Sequence, residues 1–147
     1  MAKRAILHAT DFSTASRPAL AKAIELSRAA RSPLLVLHVL NPMMPVIGDR
    51  PVEPPTYLAL QKASRAWALK QLARVAARAK ARGVRAMPIL VEGSEAGTIL
   101  RVARARRAAM IVMGTHGRSG IERALLGSVA TRVVSQATCP VLTVRAR

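Results

Sequence analysis

Met110-Ile111-Val112-Met113-Gly114-Thr115-His116-Gly117, then nine residues, then Gly127-Ser128, carries the pattern from which the fold follows. An apolar run leads into a glycine-rich loop, and helical patterning starts at Gly127. Strand, loop and helix N-terminus in that order suit a phosphate, because the first helical N–H groups lack acceptors and glycine lets an anion reach the backbone. Gly114 and Gly117 are expected to turn with φ > 0 and leave room for a ligand. Arg118 adds a charge and Ser128 a hydroxyl. The same glycines would also serve plain tight turns.

Upstream, the chain alternates in the same way. Ala5 to Ala9 is a short apolar run, read as a buried strand ending at Thr10-Asp11. Ser16 is read as the N-cap of a helix with Pro18 in its first turn and Leu20, Ala23, Ile24 and Ser27 on one face. Asp11 would serve either a ligand or that helix start. Leu34 to Leu40 is apolar on both faces, as in a parallel sheet covered by helices. Asn41 to Pro55, with five prolines, is read as an irregular loop, either a lid or a connector. Met43 and Met44 within it would serve either loop packing or contact with a ligand or partner.

Tyr57 to Arg82 reads as a long helix with an apolar face of Ala66, Leu69, Leu72, Ala73, Ala76 and Ala79. Its Lys70, Arg74, Arg78 and Arg82 stripe reads as a solvated face, and Gly83 as its C′ residue. Val84 to Val91 is a strand whose Pro88 points to a sheet edge or a bulge. Ser94 to Arg107 is a helix capped by Ser94, and Met110 to Met113 a strand. Gly127 to Ala137 is the last helix and Pro140 to Arg145 the last strand. Five strands alternating with four helices imply an α/β fold of one domain over 1–147. It is an open parallel sheet with helices on both faces and ligands bound beyond the C-terminal strand ends.

Composition bounds the rest. Half the chain is apolar (51%), with one Phe, one Tyr and one Trp, so aliphatic side chains must build the core. No segment resembles a signal peptide, no apolar run nears the roughly 18 residues of a membrane span, and Cys139 is alone. Together these predict a cytoplasmic location. A net charge of +17 attracts polyanions. The basic residues are scattered and lack interleaved aromatics, so specific nucleic-acid binding is not expected.

Several chemistries are excluded by pattern. A Walker loop needs Gly-x-x-x-x-Gly-Lys-Ser/Thr, and no lysine follows Lys80. The Gly-x-Gly-x-x-Gly fingerprint, metal-ligand Cys/His spacing and a nucleophile elbow are absent too. His116 has no evident nucleophile or orienting acid beside it, and no catalytic residue is assigned. His8 and His38 read as strand histidines, and Cys139 as a small buried hydrophobe.

Ile111 to Gly120, Leu125-Leu126-Gly127-Ser128-Val129 and Cys139-Pro140-Val141-Leu142 resemble the universal stress protein family, as do Thr10-Asp11-Phe12-Ser13 and Leu37-His38-Val39. The resemblance covers essentially the whole chain. It implies a Rossmann-like five-stranded sheet of order 3-2-1-4-5 and a homodimer through the last strand, 140–145. It also implies the ATP-binding branch, whose Gly-x-x-Gly-x9-Gly-Ser/Thr pattern is complete here. Ala9 departs from a common proline and Ala109 from a common aspartate, and neither removes a phosphate donor.

The implied roles fall on particular residues. Asp11 would hold the ribose hydroxyls, with Ala9 and Thr10 lining the nucleoside. Backbone at Val39 would meet the adenine edge, with Met113 and Gly114 packed nearby. Gly117, Arg118, Gly127, Ser128 and Val129 would hold the phosphates, bridged by Mg²⁺ or Mn²⁺; no protein metal ligand is expected. Three functions follow: an ATP-binding stress-response or signalling module, a slow ATPase or self-phosphorylating enzyme using Ser128 or a nearby hydroxyl, and a basic interaction or nucleic-acid-binding protein with an idle pocket.

Overall fold

The computed structural model describes residues 3–42, 46–47, 50–51, 53–116 and 126–146. Gly117, Arg118, Met43 and Met44 therefore lie outside the described residues. In chain order the elements are β1 (Ile6–Ala9), a 3₁₀ turn (Thr14–Ser16), α1 (Arg17–Ala30), β2 (Leu34–Leu40), β3 (Val46–Ile47) and β4 (Arg50–Pro51). They continue with α2 (Pro54–Ala81), β5 (Ala86–Glu92), α3 (Glu95–Ala105), β6 (Met110–Gly114), α4 (Ser128–Gln136) and β7 (Val141–Val144). The main sheet runs β5-β2-β1-β6-β7 with every pair parallel. Counting its own strands, that is the expected order 3-2-1-4-5. The order reverses beside β1 and β6, which pair from Ile6–Met110 to Ala9–Met113. Such a switch point leaves a crevice at the C-terminal strand ends.

Alternation along the central strands builds two cores. Leu7, Leu35, Leu37, Ile111 and Met113 face α3 and α4, where Ile99, Val102 and Val133 meet them. Ile6, Leu34, Val36 and Val112 face the other way, onto Leu20, Ile24, Leu72 and Ala76 of α1 and α2. Successive side chains of a strand point to opposite faces, so one apolar run such as Leu34–Leu37 serves both layers. Each fully buried aliphatic side chain contributes about 1.5–3 kcal/mol. Pro88 lies on β5, an outer strand of the sheet, where its missing N–H disrupts no ladder bond on one side.

Some local expectations change. Ser16 has helical φ/ψ (−82°, −13°) and caps nothing; its hydroxyl donates to the Ser13 carbonyl (2.8 Å) and lies 3.2 Å from Thr10 Oγ1. Ser94 is the N-cap by backbone conformation, yet its side chain makes no cap bond. The stretch 41–55 contains the antiparallel pair β3–β4 rather than irregular backbone alone. On α2 the buried residues are Ala68, Leu72, Ala76 and Ala79; Ala66, Leu69 and Ala73 face solvent, as does the Lys70/Arg74/Arg78/Arg82 stripe. Gly114 ends β6 without positive φ; among described glycines only Gly83 and Gly93 have it.

Three helices stop by one device. Gly83 (φ 78°) sits past α2, where Val84 N–H reaches the Ala79 carbonyl at 3.1 Å. Arg31 (φ 50°) and Arg107 (φ 48°) take the same left-handed position past α1 and α3. There Ser32 N–H reaches the Ser27 carbonyl (2.9 Å), and Ala108 N–H the Ala103 carbonyl (2.8 Å). This closing turn satisfies end carbonyls and favours glycine at its left-handed residue.

Candidate functional site

A cleft of about 560 Å³ opens at the C-terminal ends of β1, β2 and β6. Its floor follows from the sheet order: β1 ends in Ala9-Thr10-Asp11, and β6 beside it ends in Met113-Gly114. The start of α4 supplies Gly127, Ser128 and Val129, and β2 supplies Val39. Nine of the eleven residues expected at a nucleotide site therefore line one cleft. Gly117 and Arg118 lie outside the described residues.

Side-chain bonding fixes the rim at β1. Asp11 Oδ1 accepts the Ser13 N–H (2.9 Å) and the Ser13 hydroxyl (2.6 Å), forming a turn that holds the carboxylate at the strand end. Asp11 thus shapes the approach to α1 while lining the cleft. Thr10 Oγ1 accepts the Phe12 N–H at 3.0 Å. The Thr10 carbonyl accepts His38 Nδ1–H at 2.8 Å, which sets that tautomer.

Across the cleft, Gly127 N–H donates to the Thr115 carbonyl at 2.8 Å and ties the start of α4 to the end of β6. A Cβ at Gly127 would lie 3.0 Å from that carbonyl oxygen, so the glycine serves close approach of two backbones; its φ is −59°. The first helical bond of α4 runs from Thr131 N–H to the Gly127 carbonyl (2.8 Å). Among the described residues no side chain caps the helix, and Ser128, Val129 and Ala130 line the cleft. An uncapped N-terminus carries partial positive charge and free donors suited to an anion.

One wall of the cleft lies outside the residues expected from the sequence. Trp67 and Ser64 of α2 line the cleft, as does Glu95 of α3. Trp67 meets the Phe12 ring edge-on (5.4 Å, 85°), and Phe12 lies 4.4 Å from the His38 ring. Phe12 has φ 63°, a conformation costly for a bulky residue. The signal is the spacing Ser64, Trp67, Ala68, Gln71, Leu72, Val75, Ala76, Ala79, a steadier i, i+3, i+4 pattern than the Ala66, Leu69, Ala73 face.

The other polar candidates have local partners among the described residues. His116 Nδ1 lies 3.0 Å from the Thr115 hydroxyl. His8 is fully buried within β1 and donates Nδ1–H to the Val112 carbonyl (3.0 Å); burial pushes its pKa down to about 4. Its Nε2 has no partner among the described residues. Cys139 is half-buried, and burial raises its thiol pKa. Among the described residues no three His, Cys, Asp or Glu side chains could jointly hold a metal ion. No described helix is long and apolar enough to cross a membrane.

The model of the Universal stress protein family matches residues 3–145. The chain is 36% identical over 138 residues to universal stress protein MJ0531 of Methanocaldococcus jannaschii, covering 92% of this chain and 78% of that one. The fold is similar to universal stress protein UspA from Lactobacillus plantarum, with TM-score 0.83, 22% identity and 99% of each chain covered. It is also similar to a universal stress protein solved in complex with cAMP (TM-score 0.73, 24% identity, 100% of both chains). A fourth similar chain, from Archaeoglobus fulgidus, was solved with dAMP (TM-score 0.68, 22% identity, 99% of this chain and 100% of that one). With the matched region running nearly end to end and the sheet order in agreement, the chain belongs to the universal stress protein family.

Proposed function

We propose that this chain is an ATP-binding module of stress response or signalling. One observation carries the reading: the N-terminus of α4, uncapped among the described residues, opens onto the same 560 Å³ cleft as the Asp11 carboxylate. A carboxylate suits ribose hydroxyls, helix N–H donors suit phosphates, and the volume is that of an ordinary small-molecule site. Two similar folds were solved with the adenine nucleotides cAMP and dAMP, which supports the base assignment. In this reading Asp11 holds the ribose, Ala9 and Thr10 line the nucleoside, and Val39 meets the adenine edge beside Met113 and Gly114. Gly127, Ser128 and Val129 hold the phosphates, joined by Gly117 and Arg118. Mg²⁺ or Mn²⁺ would enter on the phosphates. The module works in the cytoplasm as a homodimer through β7.

The test is nucleotide carried through purification. Denaturing the protein and chromatographing the supernatant should release an adenine nucleotide. Added ATP–Mg²⁺ should raise the melting temperature of stripped protein, since a ligand at a hundredfold over its Kd stabilises by about 2.7 kcal/mol. No released nucleotide together with no thermal shift would end this reading.

A further inference from the structure

The end of the molecule opposite the cleft is a basic pole, and its charge is held in an unusual way. Parallel strands return through helices, so the strand N-termini and the helix C-termini gather there. Arg31 and Arg107 occupy the left-handed closing residue of α1 and α3, the position that Gly83 fills after α2. Arginine there is strained where glycine is not. Both residues are exposed. The segment leading into β1 joins the two turns across the thickness of the sheet: Lys3 Nζ donates to the Ala30 carbonyl (2.7 Å), and Arg4 Nε to the Arg107 carbonyl (2.9 Å). Arg28 and Arg82 line one shallow hollow between α1 and α2 at the same end, together with Glu25.

Acid is nearly absent from this pole. Among the described acids, Asp11, Glu53, Glu92 and Glu95 sit at the cleft end by their place in the elements. Glu25 is on α1 and pairs with Lys22 at 2.7 Å. Glu25 lines the pole's hollow but is paired with Lys22, and neither described ion pair engages Lys3, Arg4, Arg28, Arg31, Arg82 or Arg107.

We propose that this pole binds the phosphate backbone of duplex nucleic acid without reading sequence. Guanidinium groups match phosphate geometry with forked donors. Single strands are disfavoured, because Phe12, Tyr57 and Trp67 lie toward the cleft end and leave no ring at the pole to stack a base. A lipid surface is disfavoured, because the large exposed apolar side chains among the described residues (Leu58, Leu60, Trp67, Leu69 and Val134) are on the bodies of α2 and α4. The site is independent of the nucleotide cleft.

The test uses a fluorescently labelled mixed-sequence DNA duplex in anisotropy titrations across a salt series, with the full chain. The Arg31→Gly/Arg107→Gly double variant should lose duplex affinity by about tenfold or more at low salt, and the salt slope should shrink by about two phosphate contacts. Its melting temperature should hold or rise, because glycine relieves both left-handed residues. Lys70→Ala/Arg74→Ala removes the same charge from the α2 stripe and should change affinity less than twofold. Saturating ATP should not displace the duplex. Equal losses in the two variants, displacement by ATP, absence of duplex binding at low salt, or a pole variant that melts well below the parent would each overturn the proposal. So would pole-dependent binding to phosphatidylserine vesicles in place of the duplex.

Discussion

Asp11 and Gly127 act on the site through different physics, and substitution separates them. Asp11 contributes a carboxylate anchored by two Ser13 donors. Asp11→Ala should abolish most of the ATP-dependent rise in melting temperature. It should cost about 0.5–2 kcal/mol of intrinsic stability, the range for losing a capping side chain. An undiminished ATP shift in this variant would remove Asp11 from the site. Gly127→Ala should act by crowding, since the new Cβ meets the Thr115 carbonyl at 3.0 Å. Overpacking of this kind costs about 1–3 kcal/mol, and it would push the start of α4 away from β6. Gly114→Ala is the control: its nearest neighbour would be 3.4 Å away, so urea melts should show a smaller loss. His8 adds a pH dependence. Its pKa is about 4 folded against 6.5 unfolded, because burial disfavours the imidazolium. The unfolded chain therefore binds the proton first. Stability should be level above pH 6.5 and decline as pH falls toward 4, by on the order of 3 kcal/mol. His8→Gln should flatten that part of the profile in denaturant titrations, and parallel profiles for parent and variant would contradict the assignment.

At the scale of elements, α2 shows what sequence does and does not carry. Leu72 is fully buried, whereas Leu69 is 49% exposed. Leu72→Ala should cost about 2–5 kcal/mol and Leu69→Ala no more than about 0.5 kcal/mol. Comparable losses in thermal melts would show that the helix is rotated. Pattern alone assigned both leucines to one face, because alanines fill α2 on all sides and blur the apolar stripe. By contrast, Leu34–Leu40 was legible to the residue, since an unbroken apolar run of that length in an alternating α/β chain fits a strand covered on both faces. The caps were less legible. Ser16 and Ser94 precede their helices as caps do, but a hydroxyl near a tight turn has competing acceptors, and Ser16 uses the Ser13 carbonyl. The short β3–β4 pair was hidden among prolines, where local propensity argues against any ladder. In the cleft, the residues read from β1, β6 and α4 came together because topology forces those ends into one crevice. The Trp67 wall was missed because it depends on how α2 is rotated, which packing decides.

The whole molecule has two sheet edges, and they differ in chemistry. On β5, Pro88 interrupts the outward row of donors, a device that discourages pairing between molecules. On β7, Val141-Leu142-Thr143-Val144 carries neither charge nor proline and is partly exposed. Its inward bonds identify the outward ones. The Pro140 carbonyl accepts Ile111 N–H (2.9 Å) and the Val144 carbonyl accepts Thr115 N–H (3.1 Å), so even-numbered residues bond to β6. Val141 and Thr143 then direct their backbone groups away from the sheet. If β7 is the dimer seam, Thr143→Pro removes an outward N–H while leaving the ladder to β6 intact. Size-exclusion chromatography with light scattering should show the parent as a dimer and this variant shifted toward the monomer, with ATP–Mg²⁺ still raising its melting temperature. Leu142→Pro would instead remove an inward donor and should lower the melting temperature outright. A Thr143→Pro protein that remains a dimer would move the seam to another surface, and the exposed Leu58, Leu60 and Leu69 of α2 would be the next place to probe.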